Sequence, residues 1–416
     1  MHKSRWKNRV LGVMMANVLF FVLVDLSIKI SQGWYQEGKI LIPSERFWKK
    51  LKVSEAFWNR HQQRLDHVHN PLMAAAIAAG NDTNVNTIKS IPDILDWLND
   101  TIPEHTCEPD YSVAARVKDY HLLPQRFKDF LLYMRCRTYP MVRNEPDLCR
   151  EPPFLLLAVK SLVPHFDRRQ AIRETWGRAG VVGGRKVVTV FLLGNATATD
   201  HFPDLSGMLQ REAEMNRDIL QWDFRDTFFN LTAKEVLFLE WLSGNCAGAR
   251  YVFKGDDDVF VNTGHILDYL GGLRRSRSRD LFIGDVITGA APHRDKKLKY
   301  YIPESVFQGS YPPYAGGGGY LYSGEVGLRL HNVSQHVSLY PIDDVYTGMC
   351  LQRLGLTPEK HKGFRTFNID EKYRDNACAY DSLMLVHSRT PQEVIQIWSW
   401  IQDPGLNCHA VTKFAG

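Results

Sequence analysis

Three adjacent carboxylates, Asp256, Asp257 and Asp258, stand between the apolar runs Tyr251-Val252-Phe253 and Val259-Phe260-Val261. A bare run of three acids ordinarily marks a solvated turn. Between apolar flanks the charges repel one another unless a cation neutralises them. Carboxylate oxygens suit Mg2+ or Mn2+, and such an ion in turn holds a diphosphate. Alternate side chains of an extended stretch share a side, so Asp256 and Asp258 can act together while Asp257 points elsewhere. A second acidic pair, Asp343-Asp344, precedes residues 345–351 and suits a helix N-terminus, where the dipole favours negative charge. Mutual repulsion within such a pair also raises one pKa, which helps a general base. Four glycines, Gly316, Gly317, Gly318 and Gly319, lie between Tyr314 and Tyr320, and glycine lets the backbone approach a ligand closely. Lys160, Arg168 and Arg173 gather around one strand–helix turn, a place where phosphates or uridine are bound.

These residues need a frame. Residues 154–160 form a continuous apolar run suited to a strand buried on both faces. A helix is predicted over 168–176, a strand over 187–193 ending at Gly194, a helix over 205–215 and a short strand over 219–222. Thr232 and Glu235 read as a capping box for an amphipathic run to Leu242. The strand 251–254 then runs straight into the aspartates. Strands alternating with helices predict an α/β fold, a mixed and mostly parallel sheet with helices on both faces. Ligands of such sheets bind at the carboxyl ends of the strands, where the acidic run falls.

The ends of the chain speak to compartment. Lys3, Arg5, Lys7 and Arg9 precede an apolar run over 10–28 that is interrupted only by Asn17 and Asp25. Nineteen residues at about 1.5 Å each span about 28 Å, close to the hydrocarbon thickness. The basic flank places the N-terminus in the cytoplasm and the remainder in the lumen, and no small-residue cleavage site follows Val24. The expected organisation is a cytoplasmic tail (1–9), a transmembrane signal-anchor (10–28), a stem (29–106) with one helical stretch containing Phe47, Trp48, Phe57 and Trp58, an N-terminal extension (107–153) and a catalytic domain (154–416). The seven cysteines show no C-x-x-C spacing, which argues against zinc. Cys136 with Cys149 and Cys350 with Cys378 are candidate pairs, the connectivity stays open, and the odd count leaves one thiol over. Acceptor sequons for N-glycosylation occur at Asn81, Asn99, Asn195, Asn230 and Asn332. The net charge of +5 is small for 416 residues and marks no nucleic-acid-binding face.

Four blocks carry a resemblance: Arg169-Gln170-Ala171-Ile172-Arg173-Glu174-Thr175-Trp176, Phe253-Lys254-Gly255-Asp256-Asp257-Asp258-Val259-Phe260, the turn from Tyr311 through Pro312, Pro313, Tyr314, Ala315 and the four glycines to Tyr320, and Pro341-Ile342-Asp343-Asp344-Val345-Tyr346. In this order they make residues 154 to about 398 similar to glycosyltransferase family 31, the β-1,3-glycosyltransferases of the Golgi. The likeness extends upstream to residues 127–133 and to Arg46-Phe47-Trp48. The resemblance implies a GT-A fold, a single Rossmann-like α/β domain, and transfer with inversion. It implies Asp344 as catalytic base, and Asp258, Asp256 and His387 as ligands of Mn2+ or Mg2+; on its own, His387 after an apolar strand reads as structural. The nucleotide sugar is expected on Lys160, Arg168, Arg173, Asp256, Asp257, Gly317 and Gly318, and the acceptor on Asp343, Tyr300, Asp285 and Tyr314.

Galactosyltransferase relatives tend to carry Cys-Ser-Gly in the glycine turn, whereas Ala-Gly-Gly-Gly-Gly resembles the N-acetylglucosaminyl group. The expected activity is therefore transfer of N-acetylglucosamine from UDP-N-acetylglucosamine to the 3-hydroxyl of a terminal β-galactose, extending poly-N-acetyllactosamine. Expected partners are galactose-terminated glycans of glycoproteins and glycolipids, the membrane through one span, and related glycosyltransferases in a homo- or hetero-oligomer. The expected location is the Golgi membrane, single-pass type II. A β-1,3-galactosyltransferase and a non-catalytic luminal chaperone or glycan-binding protein are the competing readings.

Overall fold

The computed structural model describes residues 54–69, 107–196 and 203–408. The expected tail, membrane span, most of the stem and the sequons at Asn81 and Asn99 lie outside these residues. Among the described residues no helix is long and apolar enough to cross a membrane.

The order begins with helices α1 (Phe57–His69), α2 (Val113–Arg116) and α3 (Gln125–Leu132), then an edge strand β1 (Met141–Arg143). The core opens with β2 (Leu155–Lys160), buried at every position, as a strand covered on both faces must be. It continues through α4 (Phe166–Glu174), β3 (Gly180–Val182), β4 (Arg185–Asn195), α5 (Ser206–Asn216), β5 (Ile219–Arg225), α6 (Leu231–Asn245) and β6 (Tyr251–Asp256). After β7 (Val259–Val261) come α7 (Thr263–Gly271), α8 (Arg275–Arg279), β8 (Phe282–Ile287), β9 (Tyr314–Ser323), α9 (Gly324–Ser334) and α10 (Asp343–Arg353). The chain closes with β10 (Glu359–Lys360), β11 (Phe364–Arg365), α11 (Ala377–Asp381), β12 (Leu385–His387) and α12 (Pro391–Ile401).

The main sheet has nine strands in the order β1-β5-β4-β2-β6-β9-β8-β10, with β3 folded back on β4. Strands β5, β4, β2 and β6 run parallel, while β9 is antiparallel to both neighbours and β10 parallel to β8. With β1 antiparallel to β5 and β3 antiparallel to β4, the sheet is mixed around a parallel centre. The chain steps outward from β2 to β4 to β5, then returns to place β6 on the other side of β2. That reversal creates a crevice at the carboxyl ends of β2 and β6, where Lys160 and Asp256 are register partners. A second, three-stranded sheet, β11-β12-β7, pairs His387 with Val259. It brings residue 387 beside the acidic turn, 130 positions away in sequence.

Several expectations change. Thr232 and Glu235 do not form a capping box: both are buried, Thr232 Oγ1 donates to Tyr340 O at 2.5 Å, and Glu235 pairs with buried Lys254. The capping box of this fold is Thr390 with Glu393, at the start of α12. The glycine run is no turn but the first half of β9. Within the expected stem, Ala56 and the first residues of α1, Phe57 and Trp58, are buried. The disulfides are Cys107–Cys136, Cys149–Cys246 and Cys378–Cys408. Neither expected pair forms: Cys350 is a free thiol buried in α10, and Cys136 and Cys149 each meet a cysteine from a more distant part of the chain.

Candidate active site

The crevice is an open cavity of about 820 Å³. The acidic run enters it as β6 ends at Asp256, and the turn at Asp257 and Asp258 that leads into β7 sorts its three carboxylates. Asp256, Asp258 and His387 face one point, with one ligand atom of each within 4.8 Å of the others. His387 Nε2 stands 3.2 Å from Asp258 Oδ1. Its other nitrogen, Nδ1, lies 2.8 Å from Thr366 O. A carbonyl only accepts, so Nδ1 carries a proton; Nε2 faces the Asp258 carboxylate, whose hydrogen bond raises the pKa of the ring, and a divalent ion bound here would take Nε2 in place of a proton. Two carboxylates and an imidazole, with the ring oriented from behind, fit a divalent cation of the Mn2+ or Mg2+ type.

Asp257 turns the opposite way and is fully engaged. Its Oδ2 accepts from Ser161 Oγ at 2.7 Å and lies 2.8 Å from His165 Nδ1; its Oδ1 accepts from Arg168 at 2.8 Å. Burial opposes its charge, yet these donors, His165 first, hold it below the usual carboxylate range. Asp257 therefore braces the acidic turn against the loop after β2 at the edge of the cavity, and Arg168 shares in the same brace.

Across the cavity lies the second acidic pair, at the first turn of α10. Lys160 Nζ bridges the two halves, 2.8 Å from Asp256 Oδ1, 2.9 Å from Asp343 Oδ2 and 3.3 Å from Gly317 O. Burial works against the ammonium, but both carboxylates outweigh it and keep it protonated. Asp343 is likewise buried, and Lys160, then Lys254, hold it ionised. Asp344 has no such cation. Burial first, and the charge of Asp343 second, push its carboxyl up to about 7. Its Oδ2 accepts from Gly317 N at 3.1 Å and its Oδ1 from Val345 N at 3.1 Å, which fixes the carboxyl at the cavity wall.

Not every residue singled out from sequence arrives here. Arg173 is not among the residues that line the cavity: it chelates Asp218 at 2.7 and 2.9 Å and reaches Glu212 at 2.7 Å, tying α4 to α5 and to the residue before β5. Asp285 is occupied by Thr366 N at 3.2 Å and Lys360 at 3.2 Å and holds β11 against β8, outside the cavity lining. Asp343 lines the cavity, but its charge is committed to Lys160. Tyr300, 45% exposed, and Tyr314 stand on the Asp344 side. Sequence reading missed His165, Phe228 and Phe367, which also line it. Of these only His165 had a signal, its place in the loop after the first core strand. Among the described sequons Asn332 is exposed on α9, whereas Asn195 and Asn230 are half-buried with their amides donating to Asp223 and to Arg225 O.

Comparison with known proteins agrees with this geometry. The profile of the galactosyltransferase family matches residues 167–362. The N-acetyllactosaminide β-1,3-N-acetylglucosaminyltransferase 2 of Mus musculus is 55% identical over 409 residues, 98% of this chain and 100% of that one. Its Homo sapiens counterpart is 54% identical over 413 residues, with the same coverage of both chains. A UDP-GlcNAc:βGal β-1,3-N-acetylglucosaminyltransferase 7 of Mus musculus is 42% identical over 297 residues, 70% of this chain and 74% of that protein.

Proposed function

Because the chain belongs to the galactosyltransferase family, we propose that it transfers N-acetylglucosamine from UDP-N-acetylglucosamine to the 3-hydroxyl of a terminal β-galactose, with inversion. The observation that carries the reading is the opposition of two acidic centres across one cavity, Asp256 and Asp258 with His387 on one wall, Asp344 on the other. Together with the mixed sheet and its switch point, this supports a GT-A type domain.

In this reading Asp344 takes the proton of the acceptor hydroxyl as its oxygen attacks the anomeric carbon. The bond from that carbon to the diphosphate breaks, UDP leaves, and the proton remains on the Asp344 carboxyl. A divalent cation held by Asp256, Asp258 and His387 would neutralise the charge that gathers on the leaving diphosphate. The imidazole in this set favours Mn2+ over Mg2+. Lys160 holds Asp256 and Asp343 in place by ion pairs and keeps Asp343 ionised. The glycines of β9 form the floor on which the sugar is expected to lie, and Tyr300 and Tyr314 offer ring faces on the acceptor side. Poly-N-acetyllactosamine extension in the Golgi lumen, from a single N-terminal anchor, is the corresponding cellular role; it is supported by the relatives' names and by residues 10–28.

Incubating the luminal part with N-acetyllactosamine, Mn2+ and, in turn, UDP-N-acetylglucosamine and UDP-galactose tests the reading. Turnover is expected with the first donor and its loss on chelation with EDTA. Turnover with UDP-galactose alone would make the protein a β-1,3-galactosyltransferase. Nucleotide-sugar binding without any turnover would make it a glycan-binding or chaperone-like protein.

A further inference from the structure

Helix α1 belongs to the part of the chain that joins the N-terminal segment to the core, and its contacts are concentrated on two stretches. The first is the segment leading into Tyr311 and Tyr314. The opening amides of α1, Phe57 N and Trp58 N, each donate at 2.9 Å to Ser305 O and Val306 O, which satisfies helix-end donors that would otherwise lack partners. Asn59 and Gln308 exchange a reciprocal pair of bonds, side-chain amide to backbone, at 2.8 and 2.9 Å. The second stretch leads into Asp343 and Asp344. Trp58 Nε1 donates to Leu339 O at 3.0 Å, Gln62 Nε2 donates to His336 O at 3.0 Å, and Ser338 N donates to Gln62 Oε1 at 2.7 Å. At the far end of α10, Arg353 forks onto Asp66 at 2.9 and 2.8 Å. The helix that carries Asp344 is therefore held by α1 both at its entry and at its last residue.

An aromatic chain connects the same helix to the cavity wall. Trp58 meets Tyr340 and Phe307 edge-on, with centroids 5.6 and 5.4 Å away. Tyr340 bonds Tyr311 hydroxyl to hydroxyl at 2.9 Å, and Tyr311 packs on Tyr314 at 6.2 Å. Tyr311 and Tyr314 line the cavity on the Asp344 side.

We propose that α1 is a positioning element of the active site, a clamp whose Trp58, Gln62 and Asp66 set the placement of Asp344 and of the Tyr311–Tyr314 acceptor wall. A simple tether would need one point of attachment anywhere on the surface. Apart from Arg60, which donates to Arg116 O at 2.8 Å on the exposed side, these hydrogen bonds fall on segments that end at the base or at the acceptor wall, while Asp256, Asp258 and His387 are positioned by β6, the turn after it and β12, which α1 does not touch in these bonds. Disturbing α1 therefore separates the two halves of the site: acceptor handling suffers and donor binding does not.

The inference rests on Asp344 as base, and its test keeps the two apart. In the full chain, Trp58→Ala and Asp66→Asn are compared with wild type for kcat, acceptor KM and calorimetric affinity for UDP with Mn2+. Displacing a base by a fraction of an ångström costs severalfold to a hundredfold in rate, so kcat/KM for the acceptor should fall about tenfold in Trp58→Ala and about threefold in Asp66→Asn, with UDP affinity within about twofold. Trp58→Phe, which keeps a ring but no Nε1, should recover part of the loss. If Trp58→Ala does not fold, Asp66→Asn and Gln62→Ala decide the matter. Acceptor kcat/KM within about twofold of wild type in those variants, or a loss of UDP binding in parallel with turnover, overturns the proposal. Full turnover by Asp344→Asn would instead overturn the base, leaving the clamp to be judged on acceptor KM through Tyr311 and Tyr314.

Discussion

A group that must accept a proton from a sugar hydroxyl near neutral pH works best with a pKa close to that pH. Asp344 reaches about 7 through burial and the ionised Asp343 beside it. Since the base acts deprotonated, acceptor kcat/KM should fall about tenfold per pH unit below that value and level off above it, as a pH–rate profile would read. Asp344→Asn should abolish transfer and leave UDP affinity nearly unchanged. The same shift has a stability consequence of defined sign. The folded pKa lies above the unfolded value of about 3.9, so this group's stabilising contribution is complete below that pH and is lost as pH rises through 7. Asn at 344 does not suffer that loss. The variant should therefore melt above wild type at pH 8, with the gap closing near pH 4. A variant that melts below wild type at pH 8 would mean that the Asp344 carboxylate is stabilised where it sits. The sequence supplied both acidic centres, because strand alternation and a helix N-terminus are local patterns. It did not reveal how Arg173 is used, because the residues that neutralise it, Glu212 and Asp218, lie 39 and 45 positions further along.

The glycine stretch of β9 shows what one element does for both halves of the site. A Cβ at Gly316 would meet Thr366 Cγ2 at 2.5 Å, and one at Gly319 would meet Leu385 Cδ1 at 2.4 Å and Phe253 Cζ at 2.8 Å. At Gly318 it would stand 3.3 Å from His387, and at Gly317 at an ordinary 3.5 Å from Asp344 Oδ2. Three of the four positions are crowded, Gly316 by Thr366, Gly318 by His387 of the small sheet and Gly319 by Leu385 and Phe253, whereas Gly317 has room for a methyl beside Asp344. Substitutions should therefore split by neighbour. Gly319→Ala overpacks the core and should cost about 1–3 kcal/mol in denaturant unfolding. Gly317→Ala should unfold like wild type but lose turnover, because its methyl points at the base. Equal unfolding of both variants would contradict this division. Composition marked the run as special, yet its reading as a turn failed because four glycines carry no alternation of polar and apolar residues from which to recognise a strand.

At the scale of the molecule, the parallel core was legible because each of its strands is a local apolar run followed by a helix. What joins distant segments was not. The placement of α1 rests on partners at 305–308, 336–339 and 353, and the disulfides link segments up to 97 residues apart. Cys149–Cys246 closes the longest of these loops, fastening the extension before β2 to the end of α6. Residue 246 stands five positions before the amino end of β6, so the bridge lies toward the edge of the sheet opposite the cavity, which opens at the carboxyl ends. Its role is then one of stability alone. Closing a loop of this length restricts the unfolded chain by about 3–5 kcal/mol in the entropic account. The double variant Cys149→Ser/Cys246→Ser should lose roughly that much in urea unfolding, while kcat per UDP-binding site stays at the wild-type level. A drop in kcat at full UDP occupancy would mean that strain from the distal edge reaches the crevice along β6, and the sheet would then be transmitting the constraint rather than insulating the site from it.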